Sequence, residues 1–132
     1  MQVMRTFFIA AVSAILLSAC TSHALMNLND RTVPNRLDGS TQTADRVKTG
    51  IMAGCLDKGW TCREVSPGLI EASIHVRKHY AVADITFDTE NYSITYKRSE
   101  LLDYNSRRNT IHRNYNRWIN NLDAAIRKNL AI

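Results

Sequence analysis

Residues 60–97 read WTCREVSPGLIEASIHVRKHYAVADITFDTENYSITYK, and along this stretch apolar and polar side chains alternate with a period of two. That is the period of a half-buried β-strand, whose successive side chains point to opposite faces. Turn residues divide the stretch into four predicted strands, Trp60–Val65, Leu69–Arg77, Tyr80–Asp88 and Asn91–Lys97. With Ser66-Pro67-Gly68 as a three-residue turn and Gly68 left-handed, Arg63 falls opposite Glu71 and Cys62 opposite Ala72. A bend at Lys78-His79 sets Val76 against Ala81, Ile74 against Ala83, Ala72 against Ile85 and Ile70 against Phe87. A bend at Thr89-Glu90 sets Phe87 against Tyr92, Ile85 against Ile94 and Ala83 against Tyr96.

All these apolar pairs share one face, while Arg63, Glu71, Ser73, Asp84, Thr86, Ser93, Thr95 and Lys97 share the other. A slip of one residue would turn the whole apolar set to water, so the pattern specifies an antiparallel sheet covered on one side.

The cover comes from the flanking segments. Between about Ala44 and Lys58, Val47, Ile51 and Cys55 recur every four residues, Ser40 or Thr43 can cap the start and Gly59 supplies a stop. Gly50 and Gly54 weaken this helix by up to about 1 kcal/mol each relative to Ala, unless a partner needs the close approach they allow. From Ile111 to about Leu130, Ile111, Tyr115, Trp118, Leu122, Ile126 and Leu130 form one apolar stripe. The expected fold is therefore α+β, a two-layer sandwich in which a four-stranded antiparallel meander carries an N-terminal and a C-terminal helix on one face. Residues 99–109 read as an irregular loop.

The N-terminus follows a different pattern. Met1–Arg5 carries one positive charge and Thr6–Leu17 is an almost uninterrupted apolar run, too short to cross a bilayer as a helix, which takes roughly 20 residues. A basic start, an apolar middle and small residues ahead of a cut make residues 1–19 a predicted export signal. Leu17-Ser18-Ala19-Cys20 resembles the lipobox of bacterial lipoproteins. The resemblance implies cleavage before Cys20, diacylglycerol on its thiol, and a membrane partnership through acyl chains that each gain roughly 0.8 kcal/mol per buried CH₂. Thr21, where lipoproteins kept at the inner membrane favour Asp, implies the outer membrane, facing the periplasm. Residues 20–41, rich in Asn, Asp, Thr and Ser with Pro34 and Gly39, then read as a flexible tether with a reach of about 25 Å. Residues 42–132 remain as a single periplasmic domain.

Export brings oxidising conditions, so Cys55 and Cys62 are expected to pair. Trp60 and Cys62 point inward, which brings Cys62 toward the preceding helix. Buried free thiols are the alternative; a metal site would lack the other two ligands that a closed zinc site needs.

The formal charge is +5, and its distribution is uneven: residues 20–96 hold eight basic and nine acidic side chains, residues 97–132 eight and three. A basic C-terminal surface suits anionic head groups, cell-wall polymer or an acidic protein, whereas export makes nucleic acid a poor partner. Arg113, Asn116, Arg117 and Asn120 lie largely off the apolar stripe and are the candidate partner-binding residues. Asparagine costs roughly half a kcal/mol in mid-helix relative to Ala, so the cluster needs either a recognition role or local hydrogen bonds to justify it.

No cofactor, metal site or catalytic group is expected. His75 faces the polar side of the sheet, His79 sits at a bend and His112 lies on a helix packed against the opposite side, with His23 in the tether, so they are not expected to converge. Ser73, His75 and Asp84 share a sheet face, but one that is flat and open to water, without means to stabilise an oxyanion. The function expected from the sequence is that of a non-enzymatic, membrane-anchored envelope module binding a protein or cell-wall partner through the basic helix. A small-ligand carrier or small envelope enzyme, using the polar sheet face or a cleft near 99–109, is the alternative.

Overall fold

The computed structural model describes residues 21–132. Residues 1–19, expected to be an export signal, and Cys20 lie outside the described residues. In chain order the elements are β1 (Ser22–Ala24), β2 (Leu28–Thr32), α1 (Ala44–Asp57), β3 (Thr61–Ser66), β4 (Leu69–Val76), β5 (His79–Phe87), β6 (Asn91–Glu100), β7 (Thr110–His112) and α2 (Arg113–Ala131). The fold is α+β, with two helices on an antiparallel sheet. No described helix is long and apolar enough to cross a membrane.

The sheet is larger than the expected four-stranded meander. Strands β3 to β6 form that meander, but β2 adds a fifth strand beside β6, giving the order β2-β6-β5-β4-β3. A separate two-stranded sheet pairs β1 with β7. Two of these three extra strands, β1 and β2, come from the stretch expected to be a tether, and β7 comes from the expected start of the C-terminal helix. Strand β2 escapes the period-two test because its register shifts between Leu28 and Arg31 and Asp30 sits at φ 51°, so its inward residues are not evenly spaced.

Within the meander, the pairs Arg63–Glu71, Cys62–Ala72, Phe87–Tyr92, Ile85–Ile94 and Ala83–Tyr96 stand where the alternation puts them. The β4–β5 register is two residues off the expected one: Ile74 meets Ala81, Ala72 meets Ala83 and Ile70 meets Ile85. Arg77 adopts φ 57°, so the hairpin closes on the two residues Arg77-Lys78 instead of a wider bend. A slip of two preserves parity, which is why the apolar face survives it. The β3–β4 turn is also tighter than expected: Ser66 already pairs with Leu69, and the extra residue, Val65, bulges out of the strand. Gly68 does take the left-handed conformation, at φ 80°.

The core lies between the helices and one sheet face. Ile70, Ala72, Ala83, Ile85, Tyr92 and Ile94 meet Val47, Ile51, Tyr115, Ile119, Leu122 and Ile126 there. Thr43 caps α1, its hydroxyl accepting from the Arg46 amide at 3.2 Å. A Cβ on Gly54 would lie 2.7 Å from the Ile126 backbone nitrogen, so this glycine is what lets α1 and α2 pack backbone to backbone. Helix α2 begins two residues later than its stripe suggests, because Ile111 is spent in β7.

Candidate functional site

Most of the basic excess of the C-terminal quarter lies on α2 and the loop before it, with Lys97 and Arg98 on β6. Arg113, Arg117 and Asn120 are exposed, as are Arg127 and Lys128. None of these cations forms an ion pair among the described residues.

Asn116 has a different task. Its side-chain oxygen accepts from the Met26 amide at 3.0 Å and its nitrogen donates to the Ala24 carbonyl at 2.8 Å. The side chain therefore splints the end of β1 to α2, and both of its hydrogen-bonding groups are occupied. Of the four residues singled out on the helix, three present free polar groups to solvent and one is a structural clamp.

The N-terminal strand enters the fold beside them. Ser22 pairs with His112, and the Thr21 carbonyl accepts from the Arg113 amide at 2.8 Å. At the other end of β1, the Leu25 amide donates to the Asn109 carbonyl at 2.8 Å. The intervening loop holds non-glycine residues at positive φ at Leu101, Asp103 and Asn109, a strained conformation kept in place by the fully buried Leu102, whose carbonyl accepts from the His112 amide.

Two of the four histidines approach each other, against expectation. His79 and His112 lie with ring centroids 6.4 Å apart, because β7 carries His112 back to the sheet end where β5 begins. His79 Nδ1 lies 2.9 Å from the Leu101 carbonyl and His112 Nδ1 accepts from the Asn114 amide at 3.1 Å. His75 stacks on Tyr80 at 4.3 Å. No group of three or more His, Cys, Asp or Glu side chains is placed to hold a metal among the described residues.

On the uncovered sheet face, Lys97 Nζ lies 2.8 Å from Glu71 and 3.7 Å from Asp84, and Arg63 lies 3.3 Å from Glu71. The hydrogen bond from Lys97 holds the Glu71 carboxyl below the usual carboxylate range and lifts the ammonium above its own. The two-residue register slip separates the Ser73, His75 and Asp84 set: Ser73 faces Val82, and its hydroxyl is 3.4 Å from the Thr61 carbonyl. Asp84 faces Glu71 instead. Ser73 has no base to activate it in this arrangement.

A buried polar group escaped the sequence reading. Asp123, the one buried charged residue among those described, accepts from Arg31 Nη2 at 2.6 Å and from the Tyr92 hydroxyl at 2.5 Å. Burial first, then the hydrogen bond and charge of Asp123, push the Tyr92 phenol well above its usual range; the same carboxylate raises Arg31. The signal was present at Asp123, an acid one step past Leu122 inside the apolar stripe, where an unpaired charge would be costly.

Cys55 and Cys62 are disulfide-bonded, with Cα atoms 6.2 Å apart. An open groove of about 610 Å³ runs beside this bond, lined by Met52, Leu56, Trp60 and their neighbours. A second, of about 640 Å³ and more polar, lies between residues 32–42 and the β5–β6 turn. Neither gathers a nucleophile, a base and an oxyanion donor. The chain matches no family model, no curated protein and no solved structure.

Proposed function

We propose that this protein is a lipid-anchored component of the bacterial cell envelope that acts by binding, not by catalysis, and that its partner is an acidic surface recognised by α2. The export signal and lipobox set the compartment. The observation that carries the binding role is the run Arg113, Arg117 and Asn120, exposed on a helix packed into the core and without side-chain partners among the described residues, in the part of the chain that holds the whole charge excess. Cations left unneutralised on a fixed scaffold attract anionic partners and orient their approach.

Crosslinking in cells, followed by purification of the lipidated protein, tests this. An acidic partner should be recovered with the wild type and lost with the double variant Arg113→Glu, Arg117→Glu. Recovery of no partner, together with turnover of a small substrate by the purified protein, would overturn the binding role.

A further inference from the structure

We infer that the end of the fold where Thr21 enters lies directly against an anionic bilayer surface, with the phospholipid head groups as the partner of the basic cluster there. This rests on the lipoprotein proposal above and adds to it an orientation and a ligand class.

The first observation is distance along the chain. A twenty-residue tether would have let the domain roam about 25 Å from its anchor. Instead Thr21 is already tied to Arg113, and β1 is hydrogen-bonded to β7 from Ser22 onward. Cys20 is joined to Thr21 by one peptide bond, and consecutive Cα atoms lie 3.8 Å apart. A lipid on Cys20 therefore leaves almost no slack between membrane and fold.

The second observation is what surrounds that point. The Thr21–Arg113 and Ser22–His112 contacts, the His112–His79 approach and the His79–Leu101 contact bring the β4–β5 turn, the 101–109 loop and the start of α2 to one end of the molecule. That end holds Arg77, Lys78, Arg107, Arg108, Arg113 and Arg117, all exposed and none in an ion pair among the described residues. The acids there are Glu100 and Asp103.

The opposite end, where Val33 bonds to Glu90 and Leu37 to Ala131, carries Asp38, Asp45, Asp88 and Glu90 against Arg36, Arg46, Arg127 and Lys128, with Arg36 engaged by Asp38 and Arg46 by the Ile132 carbonyl, so the two signs are nearly matched there. Helix α2, 19 residues long, spans about 28 Å between the two ends. That is several Debye lengths at physiological salt, so only the Cys20 end feels the charge of a membrane it touches.

The experiment uses the full-length lipidated protein, reconstituted into vesicles of phosphatidylcholine alone or mixed with phosphatidylglycerol. Acetylation of Lys78, at the Cys20 end, is measured against acetylation of Lys128, near the other end of α2. The Lys78/Lys128 ratio should fall at least about fivefold on the anionic vesicles, the effect of one cation at a charged membrane. It should recover in the quadruple variant Arg107→Gln, Arg108→Gln, Arg113→Gln, Arg117→Gln, and in part in the loop pair Arg107→Gln, Arg108→Gln, which leaves α2 intact.

An equal ratio on both vesicles, with mass spectrometry showing acylated Cys20 in the same material, would overturn the assignment of anionic head groups to the cluster and leave the lipoprotein proposal standing. A fatty-acid-free Cys20 or a retained Met1 would overturn both. Protection of Lys78 by soluble polyglutamate but not by anionic vesicles would assign the cluster to an acidic polymer instead.

Discussion

The meander from Thr61 to Glu100 and the N-terminal segment from Thr21 to Gln42 are held to the same body by different forces. The meander is fixed by area: a contiguous set of inward side chains, each contributing a little, buried against two helices. The N-terminal segment buries little beyond Val33 and is fixed by two short ladders, β1 to β7 and β2 to β6, and by single side chains. Asn116 clamps residues 24–26, Arg31 reaches Asp123, Asn27 accepts from the Tyr96 amide at 2.8 Å, and Gln42 donates to the Leu130 carbonyl at 2.7 Å. Distributed burial writes a periodic pattern into the sequence, whereas point attachment writes isolated polar residues. The two should also fail differently, the first everywhere at once and the second locally.

The largest effect should come from the meander. Ile85 is fully buried between Ile70 and Ile94, and Ile85→Ala should cost about 3–4 kcal/mol of global stability, read as a shift in the denaturant midpoint. A loss under about 1 kcal/mol would mean that the area argument is wrong.

Asp123→Ala comes next. It strands the Tyr92 hydroxyl and the Arg31 guanidinium, the latter partly solvated, at a cost of about 2–3 kcal/mol. Amide exchange should show β2 opening ahead of global unfolding. If all strands open together, the segment is not point-attached.

Asn116→Ala should be smaller and local, about 1–2 kcal/mol for two hydrogen bonds to backbone. Exchange at Met26 should quicken, with the global midpoint almost unmoved.

The smallest effect separates two buried tyrosines. Tyr115 packs edge-on to Tyr96 at 5.5 Å, and its buried hydroxyl has no partner among the described residues, so Tyr115→Phe should be neutral or slightly stabilising at pH 7. Both phenols are raised by burial, so the folded state holds their protons more firmly than the unfolded state does. The associated stability is whole below about pH 10 and is lost as pH climbs from there toward the raised folded values. Alkaline melts should therefore weaken the wild type, and Tyr92→Phe or Tyr115→Phe should each flatten part of that slope. An unchanged slope in both variants would refute the titration argument.

The same contrast explains what the sequence disclosed. Both helices, the four meander strands and the apolar face follow from periodicity and spacing, while the Cys55–Cys62 pairing was expected from an oxidising compartment together with the inward direction of Cys62. The β4–β5 register did not, because a two-residue slip leaves every side chain on its face and only the left-handed Arg77 distinguishes the alternatives. Strands β1 and β2 were illegible for the same kind of reason. Ser22–Ala24 buries nothing that a pattern could reveal, and Arg31 looks like a solvent residue until Asp123, 92 positions away, is set beside it. In the candidate site, lying off the stripe correctly marked Arg113, Arg117 and Asn120 as exposed, while Asn116 passed the same test and proved to be a splint.

The disulfide has a mechanical consequence. Strand β3 is the outermost strand of its side of the sheet, with one hydrogen-bonding edge unpartnered by any other strand among the described residues. Cys62 rivets that strand to the helical layer through Cys55. A border strand that cannot peel away cannot be traded with a neighbouring molecule, and the Val65 bulge roughens the border that remains. Protein made under reducing conditions lacks the rivet, and the border strand is then held to the sheet by its ladder to β4 and to the core by the packing of its inward side chains.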